Sequence, residues 1–178
     1  MKKLLIGVTG LVVVALGVLV WSLNSGSSGA DHAGSEDITK LVADLSKGDI
    51  KAQSASIDSH QLIVINSDNT ESTYELPKDE FFVSIAPYIN DTHPCAIHNL
   101  ATCRGEMKNE KFDVLIVDLE GSVVLSETMQ SQANGFVDLW LPRDRKYRVT
   151  ITYGDKTATS EISTFENDNT CIADMQLV

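Results

Sequence analysis

The side chains in this 178-residue chain best suited to chemistry are its three cysteines and four histidines. Two of each fall within eleven residues, His93, Cys95, His98 and Cys103, in the segment DTHPCAIHNLATCRGEM. Thiolate and imidazole are soft and borderline donors, so a cluster of this composition can hold a metal ion. The spacing allows it: a helical turn starting at Cys95 would put His98 at i+3 on the same face. A loop at Arg104-Gly105 would let Cys103 return to that point. The third thiol, Cys171, alternates in phase with Ala173, Met175 and Leu177, which predicts an inward-facing side chain at the start of the last strand.

Three chemistries fit these residues. A single structural disulfide with one spare thiol is the common fate of cysteines in an oxidising compartment, but three cysteines cannot all pair, and an odd thiol needs a reason. A metal site is the second: Cys3His is an accepted zinc set, and three thiolates with nearby imidazole suit Cu(I). A redox enzyme is the third, against which stand the lack of a Cys-x-x-Cys motif and of a thioredoxin-like βαβ pattern. His60, at the start of a strand, and His32, in a low-complexity stretch, read as incidental or structural. Asp113, Asp118 and Asp138 alternate with apolar residues and read as solvated strand faces. Met107, Met129 and Met175 lack the close spacing of thioether copper sites and read as core fillers. There is no phosphate-cradling glycine loop, no HExxH and no dense oxygen-ligand run of a calcium loop.

The elements that must position these groups are short. Ser35 caps a helix carrying Ile38, Leu41, Val42 and Leu45 at helical spacing, and Lys47-Gly48 stops it. Leu62–Ile65 and Thr70–Leu76 flank a Ser67-Asp68-Asn69 turn and form a hairpin, followed by an apolar strand over Phe81–Tyr88 with Pro87 marking an edge or exit. From Phe112 the pattern is all β: Phe112–Leu119, Ser122–Leu125, Gly135–Leu141, Tyr147–Tyr153, Thr157–Phe165 and Cys171–Val178. The expected fold class is therefore α+β, a small N-terminal helix/hairpin unit followed by a C-terminal antiparallel β-sandwich. The expected boundaries are 1–30 for a leader with its linker, 31–92 for the α+β domain, and 93–178 for the Cys/His segment and sandwich.

The N-terminus sets the compartment. Lys2 and Lys3 precede an apolar run from Leu4 to Leu23, long enough for the roughly 20 residues a bilayer crossing takes. It is either an uncleaved anchor or a signal peptide with Ser28 and Ala30 at the small-residue positions of a cleavage site, and both export the remainder. The expected location is thus the periplasm or the outer face of the cytoplasmic membrane. A formal net charge of −11 repels phosphate backbones and argues against nucleic acid as a partner.

The segment FFVSIAPYINDTHPCAIHNLATCRGEM resembles the signature of the CueP family of periplasmic copper-binding, copper-resistance proteins. The likeness lies in the FxVSIAPY strand, the His-x-Cys-x-x-His segment and the Leu-x-x-Cys-x-Gly-Glu close, and extends from about Glu36 to the C-terminus with its lone late Cys. The resemblance implies a two-domain protein, often dimeric, that holds copper through Cys95, Cys103 and Cys171, with His93 and His98 at the motif's histidine positions. It also implies reduction of Cu(II) by the thiols and supply of copper to a periplasmic copper-zinc superoxide dismutase. The expected function is sequestration of Cu(I) through three thiolates. Zinc is a substitute ion, thiol-disulfide reductases are partners for re-reduction, and a homodimer is the expected assembly. Primarily this is expected to be a metal-binding protein, with thiol-dependent cupric reduction as an accompanying activity. The alternative is an exported interaction module stabilised by a structural disulfide or a zinc site.

Overall fold

The computed structural model describes residues 30–178, and side chains from Asp37 onward. The N-terminal apolar run, and with it the expected choice between an anchor and a cleaved signal peptide, lies outside the described residues. Residues 37–178 form one compact unit, and of the residues before it only the opening turns of a helix are described. Among the described residues no helix is long and apolar enough to cross a membrane.

Helix α1 spans Ala30–Lys47. It starts five residues before the expected cap at Ser35, because Ala30 to Ala33 contain no proline and are compatible with helix, and the single Gly34 costs only about 1 kcal/mol relative to alanine. Its end is as expected. Gly48 takes a φ of 82°, its N–H bonds to the Leu45 carbonyl, and the Asp49 N–H reaches back to the Asp44 carbonyl. These paired bonds satisfy carbonyls that a helix end otherwise leaves open.

The rest is β-rich, with strands β1 (Ser54–Ile57), β2 (Gln61–Ile65), β3 (Glu71–Glu75), β4 (Glu80–Ile85), β5 (His98–Asn99), β6 (Lys111–Asp118), β7 (Val123–Gln130), β8 (Val137–Pro142), β9 (Lys146–Tyr153), β10 (Lys156–Ser163) and β11 (Cys171–Ile172). They form three sheets, ordered β3-β2-β1-β5, β10-β9-β6-β7 and β11-β4-β8. Pairing is antiparallel throughout except that β11 runs parallel to β4. The expected eight-residue last strand is this two-residue pairing plus a bridge between Tyr88 and Gln176.

Two cores result. Ile38, Val42 and Leu45 of α1 pack with Ala55, Ile57, Leu62 and Val64 of the first sheet. Alternate residues of the other two sheets enclose the larger core, including Val114 and Ile116 of β6, Val149 and Ile151 of β9, and Leu139 and Leu141 of β8. Met107 and Met175 are buried in it and Met129 packs against it, as gap-filling methionines should. Strand β4 serves both cores: Phe81, Val83 and Ile85 face the larger one, and Phe82 the smaller. This explains its nearly continuous apolar run, which marks a strand covered on both faces. It is the central strand of its sheet, so Pro87 marks an exit from the strand and not an edge.

Asp138 of β8 corrects another expectation. It is half-buried and accepts hydrogen bonds from Ser84 Oγ and from Ser46 Oγ at the end of α1. Alternation alone made it a solvated residue; α1 covers the face it points to.

A cysteine and histidine cluster between two sheets

The Cys/His segment crosses from the third sheet to the first. After β4 the chain passes through His93 and Cys95 in irregular structure, and reaches β5, where His98 pairs with Ile57 of β1. No helical turn forms at Cys95, so the i+3 argument for His98 fails. Pairing of His98 and Asn99 with β1 satisfies backbone groups that a lone helical turn after Pro94 would leave open. A tight turn follows, in which the Cys103 N–H bonds to the Asn99 carbonyl at 2.9 Å. This turn, upstream of the expected Arg104-Gly105 loop, brings Cys103 back. The Asn99 carboxamide holds it in place, with Oδ1 accepting from the N–H groups of Ala55, Ala101 and Thr102 and Nδ2 donating to Ser54 Oγ.

The result is a compact donor set. Cys95 and Cys103 Sγ lie 3.7 Å apart, and ligand atoms of His93, Cys95 and Cys103 all fall within 4.8 Å of one another. Cys171 is buried, packs with Ala86, Phe136 and Ala173 beneath the half-buried Cys95 and Cys103, and interacts with both thiols. Its position is tied to theirs through the backbone. The Ala96 carbonyl accepts from both the Thr170 and Cys171 N–H groups, and Thr170 Oγ1 accepts from the His98 N–H while donating to the Ile57 carbonyl. All three cysteines are free thiols.

His98 is fully buried between aromatic rings, its centroid 4.5 Å from that of Phe136 and 6.2 Å from that of Phe82. Neither ring nitrogen makes a hydrogen bond of ordinary geometry, an uncommon state for a buried polar group. The ring does lie near enough to Cys103 to favour its thiolate.

The three thiols divide one negative charge unequally. The Cys103 pKa is lowered to about 3, first by hydrogen bonding from Cys171, against the opposing effect of burial, then by His98 and the Asn99 N–H. Cys171 is pushed far up, first because its hydrogen bond to Cys103 holds its proton, then by burial. Burial also raises Cys95. At neutral pH the set is one thiolate, Cys103, supported by two thiols that release protons when a cation displaces them. A cleft of about 370 Å³ borders this set at His93, Cys95 and Cys171, between Tyr88 and Ala173.

Sequence reasoning missed residues that shape the site without carrying sulfur. Gly105 and Gly135 touch backbone to backbone: a Cβ on Gly105 would sit 2.6 Å from the Gly135 carbonyl oxygen, and Gly105 N–H donates to the Asn134 carbonyl. Glu106 accepts from Ile89 N–H at 2.6 Å, from Asn90 N–H at 3.0 Å and Nδ2 at 2.9 Å, and from Asp91 N–H at 3.4 Å. A glycine and a glutamate directly after Cys-x were the available signal. His60 lies apart from the cluster, 3.4 Å from Glu166.

Soft donors gathered within reach of one ion, at the rim of a β-rich fold, are the equipment of a metal-binding protein. The chain belongs to the CueP family, described as periplasmic copper-binding protein CueP, whose model matches residues 38–176. A crystal structure of S.CueP is similar at 32% identity, covering 92% of this chain and 98% of that one with a TM-score of 0.74. No curated protein matches. Copper is therefore the ion this family binds, and its periplasmic character supports that location for this chain.

Proposed function

We propose that this protein sequesters Cu(I) through Cys95, Cys103 and Cys171, with His98 and His93 as secondary donors. The observation that carries the reading is the 3.7 Å approach of Cys95 and Cys103 above Cys171, beside a buried imidazole with no ordinary partner. Copper(I) favours sulfur and low coordination numbers, and the thiolate already present at Cys103 supplies an initial anionic donor. The apolar floor of Ala86, Phe136 and Ala173 limits water at the sulfurs and favours the soft ion over hard competitors.

The same thiols support reduction of Cu(II). Cys95 and Cys103 closing to a disulfide release two electrons and one proton, the Cys95 proton, since Cys103 is already a thiolate, and each electron converts one Cu(II) to Cu(I). Cys95 and Cys103 are the pair that would close, and a thiol-disulfide reductase would restore them. Onward supply of Cu(I) to a copper-zinc superoxide dismutase is consistent with an outward-opening cleft, and a homodimer is the assembly proposed from the family resemblance.

Competition against a Cu(I) chelator tests the binding site. Cys95→Ser, Cys103→Ser and Cys171→Ser should each weaken binding severely while circular dichroism shows the fold retained. A Cys171→Ser variant that binds like wild type would remove the buried thiol from the site.

A further inference from the structure

The two arms of the donor set are joined by a residue that carries no ligand atom. His93 and Cys95 lie on the segment that leaves β4, and Cys103 lies on the turn after β5. Each arm is anchored elsewhere, the first by Thr92 Oγ1 donating to the Ala173 carbonyl, the second by Asn99 of β5 bonding to Ser54 and Ala55 of β1. Besides the thiol contact between Cys103 and Cys95, the Glu106 side chain reaches from the second arm to the first. Glu106, three residues after Cys103, places its carboxylate against the consecutive N–H groups of Ile89, Asn90 and Asp91 and the Asn90 carboxamide. Three successive backbone donors on one carboxylate make an anion-binding concavity filled by the protein's own side chain. The hydrogen bonds from Asn90, Ile89 and Asp91 hold its pKa down to about 2, so it is ionised at neutral pH. Gly105, the residue before it, is seated against Gly135 by backbone contact, which fixes where the carboxylate starts from.

The geometry points to Glu106 as a positioning residue that clasps the His93/Cys95 arm to the Cys103 arm and so sets the Cys95–Cys103 approach. The clasp rests on the proposed copper site only for its consequence in metal binding. Its effect on the two thiols is independent of any metal. Pre-setting two reacting groups raises their effective concentration for each other, and supporting residues hold ligands to the tolerance that binding requires.

The test measures the Cys95–Cys103 disulfide equilibrium in metal-free full-length protein, using glutathione redox buffers and mass spectrometry to follow the pair. Glu106→Ala should lower the effective concentration of the pair by about tenfold or more, equivalent to about 30 mV for this two-electron couple. Glu106→Gln, which keeps one carbonyl acceptor and the side-chain length, should fall between Glu106→Ala and wild type. Ile151→Val, a core truncation remote from the clasp, controls for general loss of stability and should leave the equilibrium unchanged. Cu(I) affinity should follow the same order across the variants. The clasp is overturned if Glu106→Ala and Glu106→Gln both stay within about twofold of wild type in the thiol equilibrium, or if Ile151→Val shifts it as much as they do. Wild-type Cu(I) binding that ignores all three Cys→Ser changes would refute the copper site instead, and the thiol equilibrium would still decide the clasp.

Discussion

Replacing His98 by leucine should separate a metal-binding role from a packing role. The imidazole is fully buried, and both nitrogens lack a hydrogen bond of ordinary geometry. Leaving a buried polar group unsatisfied costs about 1–3 kcal/mol, which leucine would recover only in part, since it also removes the ring's support of the Cys103 thiolate. Against this stand a volume-conserving shape change, usually below about 1.5 kcal/mol, and loss of the ring contact with Phe136 at 4.5 Å, about 0.5–1.5 kcal/mol. The metal-free protein should therefore change by no more than about 2 kcal/mol in either direction. At about 2–4 °C per kcal/mol for a protein of this size, the melting temperature should move by less than about 8 °C. Cu(I) affinity should nonetheless fall by about tenfold, or about 1.4 kcal/mol, a smaller loss than any Cys→Ser change. Differential scanning calorimetry of the metal-free protein and chelator titration of the reduced protein read the two quantities. A destabilisation well above about 2 kcal/mol with Cu(I) affinity unchanged would show that His98 is a core residue held by packing and not a copper donor.

The remaining predictions concern the thiols and their support. Iodoacetamide at about pH 6 should label Cys103 ahead of the other two, because only a thiolate reacts and the Cys103 pKa is held near 3; first labelling at Cys171 would contradict the charge assignment. Because the folded pKa of Cys103 lies below its unfolded value, its ionisation stabilises the fold above the unfolded pKa, and that contribution is lost as pH falls through the folded one. Between pH 4 and about 8 the stability of wild type relative to Cys103→Ser should therefore rise with pH, as read from urea midpoints. Gly105→Ala should cost about 1–3 kcal/mol, since its Cβ would need backbone at Gly135 to move, and an unchanged midpoint would refute the tight contact. Reduced, metal-free protein mixed with excess Cu(II) under nitrogen should yield about two Cu(I) per chain and one disulfide; a Cu(I) signal that persists in Cys95→Ser/Cys103→Ser would exclude that pair as the electron source.

Which parts of the site were legible in the sequence follows from how local their causes are. Alternation placed Cys171, Ala173, Met175 and Leu177 inward, and all four are buried, because side-chain direction in extended chain follows from period two alone. The helix stop at Gly48, the hairpin and most C-terminal strands were readable from turn residues for the same reason. Strands β1 and β5 were not. Ser54–Ile57 alternates but is only four residues long, and His98–Asn99 is extended only because β1 offers it hydrogen bonds, a tertiary cause invisible to a window of neighbours. That single pairing replaced the expected helical turn and re-aimed His98. Asp138 was misjudged in the same way, since its covering helix lies far away in sequence. Glu106 had no periodic signal, and its role appears only when Ile89–Asp91 stand opposite it.

The central claim, that this chain holds Cu(I) by sulfur, is tested most directly by the metal content and metal oxidation state of protein isolated from copper-exposed cells. Copper should be bound as Cu(I), with X-ray absorption showing a sulfur-dominated shell that loses sulfur in Cys171→Ser and disappears when all three cysteines are replaced. Protein isolated with zinc in place of copper, or with copper bound as Cu(II) by nitrogen and oxygen alone, would contradict it.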